Sequence, residues 1–69
     1  MKTFGKVIEY DGYTGTIKGT DGKNYLLLNK ELEEEIKEND YVSFDIDIYK
    51  DVEITKYIAR FIKKIKDTN

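Results

Sequence analysis

FGKVIEYDGYTGTIKGTDGKNYLLL, residues 4–28, decides how the rest of this chain is read. Two Asp-Gly pairs, Asp11-Gly12 and Asp21-Gly22, divide it into three short runs. Asp-Gly favours the positive φ that tight hairpins need, so each pair reads as a turn between antiparallel strands. The first strand runs Lys2–Tyr10, with Val7 toward the core and Lys6, Ile8 and Tyr10 sharing the other face by period two. The second runs Thr14–Lys18 with Ile17 inward. Gly15 inside it marks a bulge, a bend, or a surface that something approaches closely. The third runs Asn24–Leu28. Its Tyr25-Leu26-Leu27-Leu28 run is apolar on both faces, so one face meets the core and the other a lid, a ligand or a partner.

Beyond this meander, Asn29 is placed to cap a short helix over Lys30–Lys37. Leu32 and Ile36, four apart, would anchor one helical turn, while Glu33, Glu34 and Glu35 face solvent. Lys37–Asp40 reads as the exit turn. Tyr41–Ile48 then alternates cleanly, with Val42, Phe44, Ile46 and Ile48 on one face and Tyr41, Ser43, Asp45 and Asp47 on the other. The last segment fits two readings. Ile54, Ile58, Phe61, Ile62 and Ile65 follow the spacing of an amphipathic helix. A strand over Ile54–Ile62, with Tyr57, Ala59 and Phe61 inward, would instead close the sheet and remove its edges. The closure argument selects the strand. The expected fold is all-β: a small five-stranded Greek-key barrel with a short helical turn between strands 3 and 4.

Sixty-nine residues make one domain, 1–69, with a modest core. The sequence has no Cys and no His. That removes disulfides, thiol nucleophiles, the commonest general base and the commonest metal ligand, so no cofactor or metal is expected. Asp45 and Asp47 share a strand face, but solvent alternation explains them, and no enzyme is expected. Gly12, Gly15, Gly19 and Gly22 punctuate strands instead of opening a helix, which excludes a phosphate loop. No run of 18 apolar residues occurs and Lys2 has no apolar signal core behind it, so neither a membrane span nor a secretion signal is expected. With the absence of Cys, this points to the cytoplasm.

The net charge of −2 is unevenly placed. Residues 1–28 carry four Lys and three acids (+1), residues 29–53 three Lys and ten acids (−7), and residues 54–69 five basic residues and one acid (+4). A uniform basic coat is absent, but a local basic face remains open if the two ends of the chain pair in space. The acidic middle is expected to be a solvated face that keeps the domain monomeric.

The order of several short pieces resembles the bacterial cold-shock domain, an oligonucleotide-binding (OB) barrel. Gly5-Lys6-Val7 matches the family's Gly-Lys-Val, and Tyr10-Asp11 its Phe-Asn. Gly15-Thr16-Ile17 falls on its Gly-Phe-Ile, and Asp21-Gly22-Lys23 leads into Tyr25–Leu28, where its second aromatic motif lies. Glu38–Phe44 resembles the start of its fourth strand, and Ala59 matches an Ala of its last. The resemblance implies binding of single-stranded RNA or DNA by stacking bases on aromatic rings. It also shows what is missing. Glu9 stands at the family's surface Trp, Thr14 and Thr16 at two stacking Phe, and Leu26 and Leu28 near its second-motif Phe and His. Each lost ring removes roughly 1–3 kcal/mol per stacked base.

What remains for a nucleic acid is Tyr10, Tyr13 and Tyr25 with Lys6, Lys18 and Lys23. Tyr10 and Tyr25 fit two roles: stacking under a base, or capping the barrel core with a wet hydroxyl. Tyr13, at a hairpin tip, is the most exposed ring expected. The lysines fit phosphate contacts or plain solvation. Arg60, Lys63, Lys64 and Lys66 form the densest basic cluster, either a partner patch or the polar side of a terminal element. The leading expectation is weak binding of single-stranded nucleic acid, RNA foremost, with little sequence preference. The alternative is a protein-interaction module on an OB or SH3-like barrel, suggested by the Leu-rich third strand and the acidic middle.

Overall fold

The computed structural model describes residues 2–65. Five strands form in chain order: β1 (Thr3–Tyr10), β2 (Thr14–Gly19), β3 (Asn24–Leu28), β4 (Tyr41–Lys50) and β5 (Thr55–Lys64). They close into a barrel in the order β1-β2-β3-β5-β4, with β4 returning to β1. All neighbours are antiparallel except β3 and β5, which run parallel and share one register pair, Leu26 with Ile58. The tail is therefore a strand, as closure requires.

Both Asp-Gly turns form. The Asp11 carboxylate accepts hydrogen bonds from the Tyr13 and Thr14 amides at 2.8 and 2.9 Å, and Asp21 accepts one from the Lys23 amide at 2.9 Å. Gly12 and Gly22 take φ of 99° and 84°. The core is Val7, Ile17, Tyr25, Leu27, Ile36, Val42, Phe44, Ala59 and Ile62. Val7, Ile17, Val42, Phe44 and Ala59 sit inward as their alternation predicts.

Two bulges overturn parts of the reading. In β1, Val7 pairs with Ile17 but Glu9 pairs with Thr16, so Ile8 is an extra residue. The face changes there. Tyr10, opposite Gly15, turns toward the core and packs against it, and no longer shares a side with Lys6 and Ile8. In β5 the register slips by one between Ser43 and Asp45 of its partner, and Phe61 takes φ of 53°. Phe61 is thrown outward at 52% exposure while Ile62, expected outside, is fully buried.

Two further corrections concern lengths. The expected helix over Lys30–Lys37 is a single 3-10 turn, Asn29–Glu31, preceded by Leu28 as its cap residue, with no side-chain capping bond. It stops because the backbone turns extended: Leu32 bridges to Ile62, and the Glu33 amide donates to the Ile62 carbonyl at 3.0 Å. Ile36 still reaches the core. Of the β4 inward set, Ile46 and Ile48 are exposed, at 41% and 55%. Ten residues at about 3.3 Å each make a strand of roughly 33 Å, longer than the barrel is wide. The β4–β5 hairpin therefore overruns the barrel, which accounts for the extents of 46 × 25 × 18 Å.

The acidic middle folds against the basic tail. Arg60 meets Glu31 at 3.2 Å and Asp47 at 2.8 Å, Lys63 meets Glu33 at 3.5 Å, and Lys64 meets Asp40 at 3.7 Å. The Arg60 Nε contact with Asp47 lacks hydrogen-bond alignment and is purely an ion pair. The described part of the basic cluster is thus matched within the chain; Lys66 lies outside the described residues. The more exposed of these, Arg60–Asp47 and Lys63–Glu33, contribute about 0–1 kcal/mol each.

Candidate functional site

On the outer face of the barrel, strand pairing assembles a row that no contiguous stretch contains. Tyr41 on β4 lies opposite Lys6 on β1, Lys6 opposite Lys18 on β2, and Lys18 opposite Asn24 on β3. Lys23, in the turn before β3, follows at the end. Lys6 Nζ stands 5.8 Å from the Tyr41 ring centroid, and Lys23 Nζ stands 5.5 Å from that of Tyr57 on β5. The row therefore begins and ends on a cation over an aromatic ring.

Lys6 and Lys18 are like charges directly opposed across antiparallel strands, an arrangement that costs roughly 0.2–1 kcal/mol relative to neutral pairs. Among the described residues, the ion pairs draw on Lys2, Arg60, Lys63 and Lys64 and leave seven lysines without one: Lys6, Lys18, Lys23, Lys30, Lys37, Lys50 and Lys56. Lys23 has Asp21 nearby, whose carboxyl is held below its usual range by the Tyr25 hydroxyl first and then by the Lys23 amide. The Lys6–Lys18 pair has no such neighbour in the row.

The next row along the same face has the opposite character. Glu9 lies opposite Thr16, whose hydroxyl donates to Glu9 Oε1 at 3.3 Å, and Thr16 lies opposite Leu26. Glu9, Asp11 and Glu38 line a cleft of about 540 Å³ there, with Glu38 accepting the Tyr10 amide at 3.3 Å. Hydrogen bonds from the Thr14 and Tyr13 amides keep the Asp11 carboxyl below its usual range, so it stays charged. Carboxylates thus gather at this end and ammonium groups along the lysine row.

The structure therefore divides the predicted residues. Lys6, Lys18 and Lys23 come together. Tyr13 is 79% exposed but sits at the acidic end. Tyr10 is turned inward, and its hydroxyl donates to the Gly12 carbonyl at 3.1 Å and accepts from Asn29 Nδ2 at 2.8 Å. Tyr25 is 2% exposed, packs on Phe44 at 5.0 Å between centroids, and donates its hydroxyl to Asp21. A ring buried to that degree offers no face to a base. The rings beside the lysines are Tyr41 and Tyr57, neither of them in the expected set; Tyr57 was expected inward, and it is 37% exposed. Alternation had put Tyr41 on the outer face of β4, and only the β1–β4 pairing of a closed barrel sets it beside Lys6.

The Tyr25–Asp21 bond gives a pH prediction. Burial, and then the bond to Asp21, push the Tyr25 phenol from 10.0 up to about 12. The folded state thus resists ionisation more than the unfolded chain does. That stabilisation is intact below the unfolded value near 10 and disappears as pH rises toward about 12. Denaturant unfolding measured across this window should show stability falling, with a smaller fall in Tyr25→Phe. The Asp21 contribution has the opposite sign: present above about pH 3.9 and lost as pH falls below it.

No protein-family model matches the chain, and comparison with curated proteins likewise finds no match. Among the described residues no helix is long and apolar enough to cross a membrane, and no cluster of three metal-binding side chains occurs.

Proposed function

We propose that the protein binds single-stranded nucleic acid, RNA foremost, weakly and with little sequence preference, in the cytoplasm. The observation that carries this reading is the opposed Lys6–Lys18 pair: two cations held side by side without a carboxylate, extended by Lys23 and flanked by Tyr41 and Tyr57. A phosphate backbone laid along the row relieves the repulsion and places bases near rings. The barrel of three meandering strands, a connector and two further strands supports the OB, cold-shock-like comparison made from sequence. With few phosphate contacts and few rings, the expected Kd is on the order of 10–100 μM at moderate salt.

Amide-shift mapping with an octameric single strand tests the location. Shifts should concentrate on Lys6, Lys18, Lys23 and Asn24 and spare Asp11 and Glu38. Shifts confined to the acidic end, or none, would contradict the proposal.

A second reading, a protein-interaction module, has its own observation. Ile46, Ile48, Val52 and Ile54 on the overrunning hairpin are exposed, Val52 at 97%. Clustered exposed apolar residues mark contact surfaces more often than chance.

A further inference from the structure

A groove opens where β3 and β5 part. Their single register pair is Leu26 with Ile58; over Thr55–Tyr57, β5 has no strand partner on its β3 side. The groove is shallow and open to solvent, with about 390 Å³ between Thr16, Asn24, Tyr25 and Leu26 on one side and Thr55, Lys56 and Tyr57 on the other. That lies at the low end of the about 300–1,000 Å³ usual for small-ligand sites, and suits one planar heterocycle.

Its lining has the chemistry a nucleobase uses. Tyr57 is 37% exposed and is braced edge-on by Tyr25, centroids 6.2 Å apart and planes at 80°. Lys23 stands over the Tyr57 ring. The Asn24 amide group and the main-chain edge of Thr55–Tyr57 supply donors and acceptors for a heterocycle's polar rim. Lys23 and Lys56 bracket the groove without an ion pair among the described residues. Two ammonium groups, that of Lys23 already lying over the Tyr57 ring, suit a polyanion; an added peptide strand would need only the main-chain edge.

We infer that this groove takes one base of a bound single strand, stacked on Tyr57, with Lys23 and Lys56 meeting the phosphates to either side. The inference rests on the nucleic-acid reading above and adds to it a stacking contact with a base, whatever the sequence.

The test compares oligodeoxythymidylate of eight residues with an abasic octamer of the same charge. The unaltered protein should bind the thymidylate more tightly. Tyr57→Ala should weaken thymidylate binding by about 10-fold, the size of one stacked base, and leave the abasic oligomer unchanged. Tyr57→Leu keeps an apolar contact with Tyr25 but lacks the ring, and should behave the same way if the alanine variant does not fold. Tyr57→Phe should retain full affinity. If the unaltered protein binds thymidylate and both ringless variants bind it equally well, the inference is overturned and the groove is left to an extended peptide strand. If the unaltered protein binds neither oligomer, the nucleic-acid reading itself fails and the inference with it.

Discussion

Gly15→Ala should lower the melting temperature by about 10–25 °C. Gly15 is buried in β2 opposite Tyr10, at the point where the Ile8 bulge turns β1 over. A Cβ there would overlap the Glu9 carbonyl oxygen and lie 2.9 Å from Tyr10 Cα. Both obstacles are backbone, so no rotamer change makes room, and β1 and β2 must separate at the bulge. Overpacking of this kind costs about 3 kcal/mol when main chain has to move. At about 0.05–0.15 kcal/mol per residue a chain of this length has only roughly 3–10 kcal/mol in total. Each kcal/mol is worth about 4–8 °C in so small a domain, which sets the expected drop. Thermal unfolding followed by circular dichroism measures it. A variant with unchanged melting temperature would mean that β1 and β2 do not meet in this register.

Lys18→Glu should move stability and binding in opposite directions. A glutamate at residue 18 faces Lys6 across the β1–β2 ladder and replaces a repulsive pair with an attractive one. The gain is about 0.5 kcal/mol, or a melting temperature higher by roughly 2–4 °C. Binding should suffer because one cation is lost and the other becomes engaged. On single strands each phosphate contact adds about 0.7 to the slope of log affinity against log salt. At about 0.1 M salt two lost contacts therefore remove roughly 25-fold. A variant that is both less stable and unimpaired in binding would show that the pair is merely solvated. The like-charge pair is thus a small stability deficit kept where a polyanion would be received.

Much of the fold was legible from local rules. The Asp-Gly turns place three strands, and the unbroken alternation of Tyr41–Ile48 places a fourth. The tail was harder for a physical reason. A bulge inserts one residue, so inward positions on either side of it fall three apart instead of two. Ala59 and Ile62 have this spacing, and so do Val7 and Tyr10. Strict alternation misses such a step, which is why Tyr10 and Ile62 were placed on the wrong face; the helical pattern over residues 54–65 came from Ile54, Phe61 and Ile65, all of which are exposed. Alternation also cannot say where a barrel ends: Ile46 continues the face of Phe44 but lies beyond the wall that would bury it.

The candidate site was half legible. Lys6, Lys18 and Lys23 were identifiable because outward positions of a meander are fixed by turn and register. Their aromatic neighbours were not, because Tyr41 reaches Lys6 and Tyr57 reaches Lys23 through strands 34 or more residues away in sequence. Tyr25 fitted both a core and a surface role on the NYLLL strand, and packing against Phe44 decided for the core. The resemblance to cold-shock domains directed attention to rings on the first three strands, whereas the rings that stand beside cations lie on β4 and β5.

The most direct measurement is the affinity of the unaltered protein for a labelled single-stranded octamer at a series of salt concentrations. Three lysine–phosphate contacts predict a log–log slope of about −2, a roughly 20-fold loss of affinity between 50 and 200 mM salt. No binding at about 100 μM protein in low salt, a concentration that would reveal even the weak end of non-specific binding, or an affinity indifferent to salt would contradict the assignment of the Lys6–Lys18–Lys23 row to nucleic acid.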